Sequence, residues 1–375
     1  MNRSLLASAT IAASVSAAVA LGSSATAVPR VTQRAVLAVS PGISQNSGSL
    51  ASPDAASLMG TVTFSPVRPG RIVLVQRRVT GQSWQTVVRA REDARGQVRF
   101  IRDDKRGLRA YVYRAFAAPR GGLPRVYSNP EASTAWKLRF EDRFGGASLD
   151  TSKWGYRNLG VREGSRLHAQ SDTSAVHVGG GALTLQVRKN PYHPTRRYYY
   201  NGHIGTRDRF SFRYGYAAAR IRFERGQGQH GGFWMQPQSS LAPYGSPART
   251  GTEIDVAEFF GQGFKRGGIA SFVYSYPARN RSVKTGDVLP SASRALRGHG
   301  DAWWSRYHVF SVRWSASGYI FRIDGVDTWR HFGHVSRRPE YLILSLLSSD
   351  WELPRLDRST LPTSMKVDWV RVWQR

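Results

Sequence analysis

The sequence predicts an all-β protein made of two β-sandwiches, a small one followed by a large one. Three observations predict it. Short runs rich in Val, Ile, Thr, Tyr and Phe recur along the chain, separated by Gly, Pro, Asn and Asp. No segment carries the i, i+3, i+4 apolar spacing of a convincing amphipathic helix. From residue 136 to the end, about 240 residues of such runs follow one another without an internal repeat, a length that suits one large two-sheet sandwich.

The elements follow in order. Residues 1–27 read as a secretory signal: Arg3 opens it, Leu5 to Leu21 is an apolar run diluted by Ser and Thr, and Ala25-Thr26-Ala27 is an A-x-A cleavage site. Cleavage after Ala27 and an extracellular location are expected. No later stretch is long and apolar enough to span a bilayer. Residues 28–54, rich in Ser, Gly, Pro and Ala, read as a linker. Residues 55–132 read as a small immunoglobulin-like β-sandwich, with strand runs at 60–64, 71–78, 84–88, 96–100 and 110–116 and turns at Pro69-Gly70, Thr80-Gly81 and 94–96. Binding of a wall or polysaccharide and a plain spacer role both stay open for it. Trp84 is its single Trp, which gives little support to an aromatic sugar platform. In residues 136–375 the strand runs are 182–187, 216–223, 307–314, 319–324 and 364–373. Ten of the eleven Trp lie there, and several on a concave sheet face would suit sugar rings.

Composition narrows the chemistry. There is no cysteine, which removes thiol catalysis, Cys-based zinc sites and disulfides. The formal charge is +29, spread along the chain: residues 28–135 carry 17 basic against 6 acidic residues, and residues 136–375 carry 36 against 19. An anionic partner such as a sulfated or uronic glycan is one reading, and a solvated arginine-rich surface is the other. No nucleic-acid module is visible. A monomer that contacts neither nucleic acid nor membrane is expected.

Against this basic background, Gly251 to Gly261 holds Glu253, Asp255 and Glu258. Alternation on a strand puts Glu253 and Asp255 on one face and Ile254 and Val256 on the other. Glu258 has the wrong parity. One extra residue near Ala257, taken up as a β-bulge, would bring Glu258 onto the acidic face and return Phe259 to the core. Three close carboxyls repel, so at least one keeps its proton near neutrality. An ionised carboxylate beside a protonated carboxyl is the pair that glycoside cleavage uses. A solvated acidic strand and a calcium loop are the alternatives.

The ordered set of motifs around this strand resembles glycoside hydrolase family 16, the laminarinase and lichenase family. It runs through 140–146, 149–154, 179–185, 200–206, 214–222, Gly232-Phe233-Trp234-Met235, the E-I-D-x-x-E motif, 308–314, Ile323-Asp324-Gly325 and 367–372, and so covers 136–375. The resemblance implies a concanavalin-like β-jelly roll with a sugar cleft on its concave sheet and a retaining mechanism. Glu253 would be the nucleophile, Glu258 the general acid/base, and Asp255 the residue tuning the nucleophile. No cofactor would be required. Arg220 and Trp234 would line the donor side of the cleft. Asn201, in a matched motif, is expected to bind substrate, and His203 and His230 could contact sugar or serve structure. Asp368 matches a position that helps bind a structural calcium in some members. The bulged six-residue motif matches the branch holding laminarinases and many galactan-active members. The N-terminal unit resembles small β-modules attached to bacterial secreted enzymes.

Three departures stand out. His230-Gly231-Gly232 replaces a common Trp-Pro-Ala, Ala218 replaces a common Glu, and 271–276 lacks a His found in many laminarinases. The expected function is secreted retaining endo-hydrolysis of a β-linked glucan or galactan. A transglycosylase of the same fold and a non-catalytic binder of anionic glycan are the alternatives.

Overall fold

The structure, a computed structural model, describes residues 32–44, 57–102, 111–193, 196–290, 292–296 and 300–375. The signal-like segment 1–27 lies outside them. Among the described residues, helix is confined to single turns such as Pro247–Thr250. No helix among the described residues is long and apolar enough to cross a membrane.

The N-terminal unit is two antiparallel sheets face to face. One holds Arg34–Ser44, Ser57–Ser65 and Gln97–Arg102. The other holds Gln85–Arg91, Ile72–Val79 and Tyr111–Ala117, extended by the short Val126–Tyr127 and Glu131–Ala132. Alternate residues point inward. Leu37, Val39, Val62, Phe64 and Phe100 of the first sheet meet Val73, Val75, Tyr113 and Ala115 of the second. Gly60 makes room for this core, since a Cβ there would lie 2.0 Å from the Phe100 ring.

The linker expected over 28–54 is corrected here. Its middle is the 11-residue strand Arg34–Ser44, paired with Ser57–Ser65. Val36 and Ala38, outward-facing and alternating with the buried Ala35, Leu37 and Val39, blur the polar alternation that marks a strand. Gly42 sits at a register shift and adds a turn-like signal.

The C-terminal unit is one long antiparallel sheet curled on itself. Its strand order begins Arg281–Val288, Ile269–Ala278, Glu253–Phe259, His230–Pro237, Glu340–Leu347, Tyr199–Gly205. It continues Ala182–Lys189, Thr363–Gln374, Gly215–Arg222, His308–Ser315, Gly318–Ile323, Val326–His331. The two halves enclose the main core. Ile254, Val256, Phe259, Phe233, Leu342 and Leu344 from one half pack against Ala217, Ala219, Ile221, Phe310, Val367 and Val370 from the other. The second half also buries its outer face. Tyr216, Ala218, Trp369 and Trp373 there are covered by Ile43 and Trp136. The Trp136 indole N–H donates to the Val39 carbonyl at 2.7 Å. One long strand thus belongs to the first unit and anchors against the second. The outer face of the first half is left for a site.

Candidate active site

The acidic strand forms as its residues dictate. Ile254, Val256, Ala257 and Phe259 are all in the core, and Glu253, Asp255 and Glu258 are all on the other face. Two successive inward residues are possible because the strand is bulged. Trp234 pairs with Asp255 while Phe233 pairs with Ala257, and Asp255 and Glu258 are opposite Phe272 and Ala270 on the other neighbour. Val256–Ala257 therefore oppose one residue, Ser271, whose hydroxyl donates to the Val256 carbonyl at 2.8 Å. The bulge expected near Ala257 is present, and it places three carboxyls on one face.

Burial raises the pKa of all three. Desolvation is the largest cause at each, and mutual repulsion adds to it at Glu253 and Asp255. Asp255, the central and most enclosed at 2% exposure, is pushed well above the usual carboxyl range. Two groups work against this at the ends. Gln236 Nε2 donates to Glu253 Oε2 at 2.6 Å, a bond that favours the ionised carboxylate. Gln236 is fixed in turn, since Arg157 Nη2 and the Tyr341 hydroxyl donate to its Oε1 at 3.0 and 3.1 Å. At the other end, His230 Nε2 lies 4.0 Å from Glu258 Oε1.

His230 is held from behind. Its Nδ1 meets Glu352 Oε2 at 2.7 Å, and both side chains are buried. Burial alone would lower its pKa, but Glu352 and Glu258 outweigh burial and raise it. The His230-Gly231-Gly232 run serves this arrangement. A Cβ at Gly231 would lie 2.6 Å from Phe223 and 2.8 Å from Glu224. The Gly231 N–H donates to Glu224 Oε1 at 3.1 Å. A proline at 231, where the common Trp-Pro-Ala would place one, could not make that bond.

The other residues expected at the site divide. Trp234 is on the acids' face, its indole N–H donating to Ser345 Oγ at 2.9 Å. His203 stacks against Trp234 with ring centroids 6.0 Å apart. Burial and the nearby Arg157 and Arg166 guanidiniums keep its pKa well below the ordinary value. The neutral ring accepts from Arg157 at Nε2 (3.2 Å) and donates from Nδ1 to Ser171 Oγ (3.3 Å). Asn201 is buried, and its Nδ2 makes no hydrogen bond among the described residues. It lines a small cavity with Arg166, a guanidinium that feels Glu352, Glu258 and Glu253.

Arg220 and Asp368 are elsewhere. Ala219 and Ile221 point into the core, so Arg220 faces the outside of the second half of the sheet, away from the acids. It is fully buried, ion-paired with Asp368 and packed over Tyr307 at 4.7 Å. Asp368 reaches it because it is the extra residue of a bulge between Val367 and Trp369. Arg220 is thus corrected from a cleft residue to a structural one. Asp368 is corrected from a calcium ligand to the counter-ion of a guanidinium, which already supplies the cation. No cluster of three or more His, Asp or Glu suited to a metal occurs among the described residues.

Sequence reading missed Gln236, Arg157, Arg166, Tyr341 and Glu352. Gln236 was findable, because it shares a strand face with Trp234 two residues away. The others are brought in by loops or a distant strand and carry no local signal.

A curled β-sandwich with a row of carboxyls on one outer sheet face defines the class. The chain belongs to the glycosyl hydrolases family 16, whose family model matches residues 163–371. It is 28% identical to glucan endo-1,3-beta-glucosidase A1 of Niallia circulans over 277 residues, covering 65% of this chain and 38% of that protein. It is 25% identical to keratan-sulfate endo-1,4-beta-galactosidase of Sphingobacterium multivorum, covering 65% of this chain and 56% of that one. The chain therefore spans between a third and three-fifths of these curated relatives. In fold it is similar to the laminarinase from Rhodothermus marinus, with TM-score 0.51 and 22% identity, over 64% of this chain and 97% of that one.

Proposed function

We propose that the chain is a secreted endo-acting hydrolase of a β-linked polysaccharide, working with retention of anomeric configuration. The observation that supports this most is the bulge, which puts Glu253, Asp255 and Glu258 together on the open face in a family 16 chain. In the first step a Glu253 carboxylate oxygen attacks the anomeric carbon. The glycosidic C–O bond breaks, and Glu258 gives its proton to the leaving oxygen. In the second, Glu258 takes a proton from water, whose oxygen attacks the same carbon and displaces Glu253. The Gln236 bond favours the ionised form of Glu253 that attacks, against the upward push of burial. Asp255, buried between the two, holds a proton and limits the negative charge. Trp234 offers a ring face to a sugar, and Asn201 Nδ2 offers a donor to a hydroxyl.

The substrate class is a β-1,3-glucan or a related β-glucan or galactan, since the named relatives act on both kinds. Secretion rests on the 1–27 segment. A reducing-end assay on laminarin, mixed-linkage β-glucan, agarose, carrageenan and porphyran tests the activity. Glu253→Gln and Glu258→Gln should each lower turnover by about 100-fold or more on whichever polymer is cut. Proton NMR of the first product should show the β-anomer. Wild-type turnover in either variant, or an α-anomer, overturns the mechanism.

A further inference from the structure

The second N-terminal sheet turns its inner face to the core, and among the described residues no other strand or helix packs across its outer face. Its three long strands, Ile72–Val79, Gln85–Arg91 and Tyr111–Ala117, carry five arginines and no carboxylate. On the outer face the arginines and aromatics interleave. The Arg114 guanidinium lies 4.2 Å from the Trp84 ring centroid and 5.0 Å from that of Tyr127. Arg78 lies 4.6 Å from Trp84, and Arg125 lies 5.6 Å from Phe116. Arg114 Nε also donates to Gln76 Oε1 at 2.9 Å. None of Arg78, Arg114 and Arg125 has an ion-pair partner among the described residues.

We propose that this face binds a sulfated polysaccharide, with Arg78, Arg114 and Arg125 as the anion contacts. The rings orient the guanidiniums by cation–π contact; Arg114 Nε donates to Gln76 and Arg125 Nη1 to the Tyr127 hydroxyl at 3.4 Å, and the remaining N–H groups can donate to an anion. Those planar forks match sulfate oxygens. The same stacking disfavours the other occupants. Neutral sugars and single-stranded bases need a bare ring face. Here Trp84 carries two guanidiniums, and Phe116 packs against Tyr127 with centroids 5.4 Å apart. Arg78 and Arg125 are exposed, Arg114 is half-buried between them, and Tyr127 is the one ring of the group that is itself exposed.

The proposal does not depend on the cleavage reading, because its readout is retention. The full chain carrying Glu253→Gln would be titrated on immobilised carrageenan and on its chemically desulfated form. Adding Arg78→Gln, Arg114→Gln and Arg125→Gln to that chain should weaken carrageenan binding by about tenfold or more, with an unchanged thermal midpoint and a shallower dependence on salt. The single change Arg114→Gln should fall between the two. Binding within twofold of the parent, equal binding of the desulfated polymer, or equally tight binding of duplex DNA overturns the proposal.

Discussion

His230 provides the sharpest test of how the acid end of the site works. Its imidazole is 4.0 Å from Glu258, and Glu352, 2.7 Å away on its other side, favours its positively charged form. That charge lowers the pKa of Glu258 against the upward push of burial. His230→Gln removes it, so Glu258 should hold its proton to higher pH. Two unit charges 4.0 Å apart interact by about 1 kcal/mol in bulk water and about 4 kcal/mol at an effective dielectric of 20. The Glu258 side chain is 18% exposed at the cleft, which places the effect toward the lower end. About 1.4 kcal/mol, or one pH unit, is expected. The measurement is the pH profile of kcat/KM on a cleaved polymer, whose alkaline limb reports the acid of the free enzyme. That limb should move up by about one unit in His230→Gln. In the double variant His230→Gln/Glu352→Gln it should return toward wild type, because Glu352 raises the Glu258 pKa while His230 lowers it. A limb that stays within about 0.2 units in the single variant refutes the electrostatic role. A raised KM with an unmoved limb would make His230 a sugar contact instead.

Two further outcomes follow from buried charges. Burial raises Glu224 from 4.5 to about 8, so the folded chain binds a proton there that the unfolded chain has lost. Its contribution is fully present below about pH 4.5 and is lost as pH rises toward 8, at up to about 1.4 kcal/mol per unit. Glu224→Gln should remove that slope from urea midpoints measured between pH 5 and 8, and an unchanged slope would place the proton elsewhere. Arg220→Met leaves Asp368 without its guanidinium beneath the outer layer. Unfolding free energy should fall by about 3 kcal/mol, with kcat/KM of the folded enzyme unchanged. A specific loss of kcat/KM without loss of stability would restore Arg220 to the cleft.

Strands whose composition is local are legible: the runs at 72–79, 182–189 and 363–374 fall within a residue or two of expectation. What failed is instructive. Arg34–Ser44 reads as linker because it carries apolar side chains on both sides, and its alternation shows only once the partner sheet and the second unit are known. Resemblance puts Arg220 in the cleft, whereas its parity with the core residues Ala219 and Ile221 points it the other way. The acids were the reverse case. Parity alone set Glu258 apart from Glu253 and Asp255. The conflict between a buried carboxylate and a cleft carboxylate could be resolved only by inserting a residue. Val256 and Ala257 are both apolar and the second is small, so two consecutive residues could enter the core without overfilling it. The bulge was therefore inferable from four side chains. The Gln236, His230 and Glu352 contacts were not, because they depend on which strands lie beside the acids, and a single strand's pattern does not encode its neighbours.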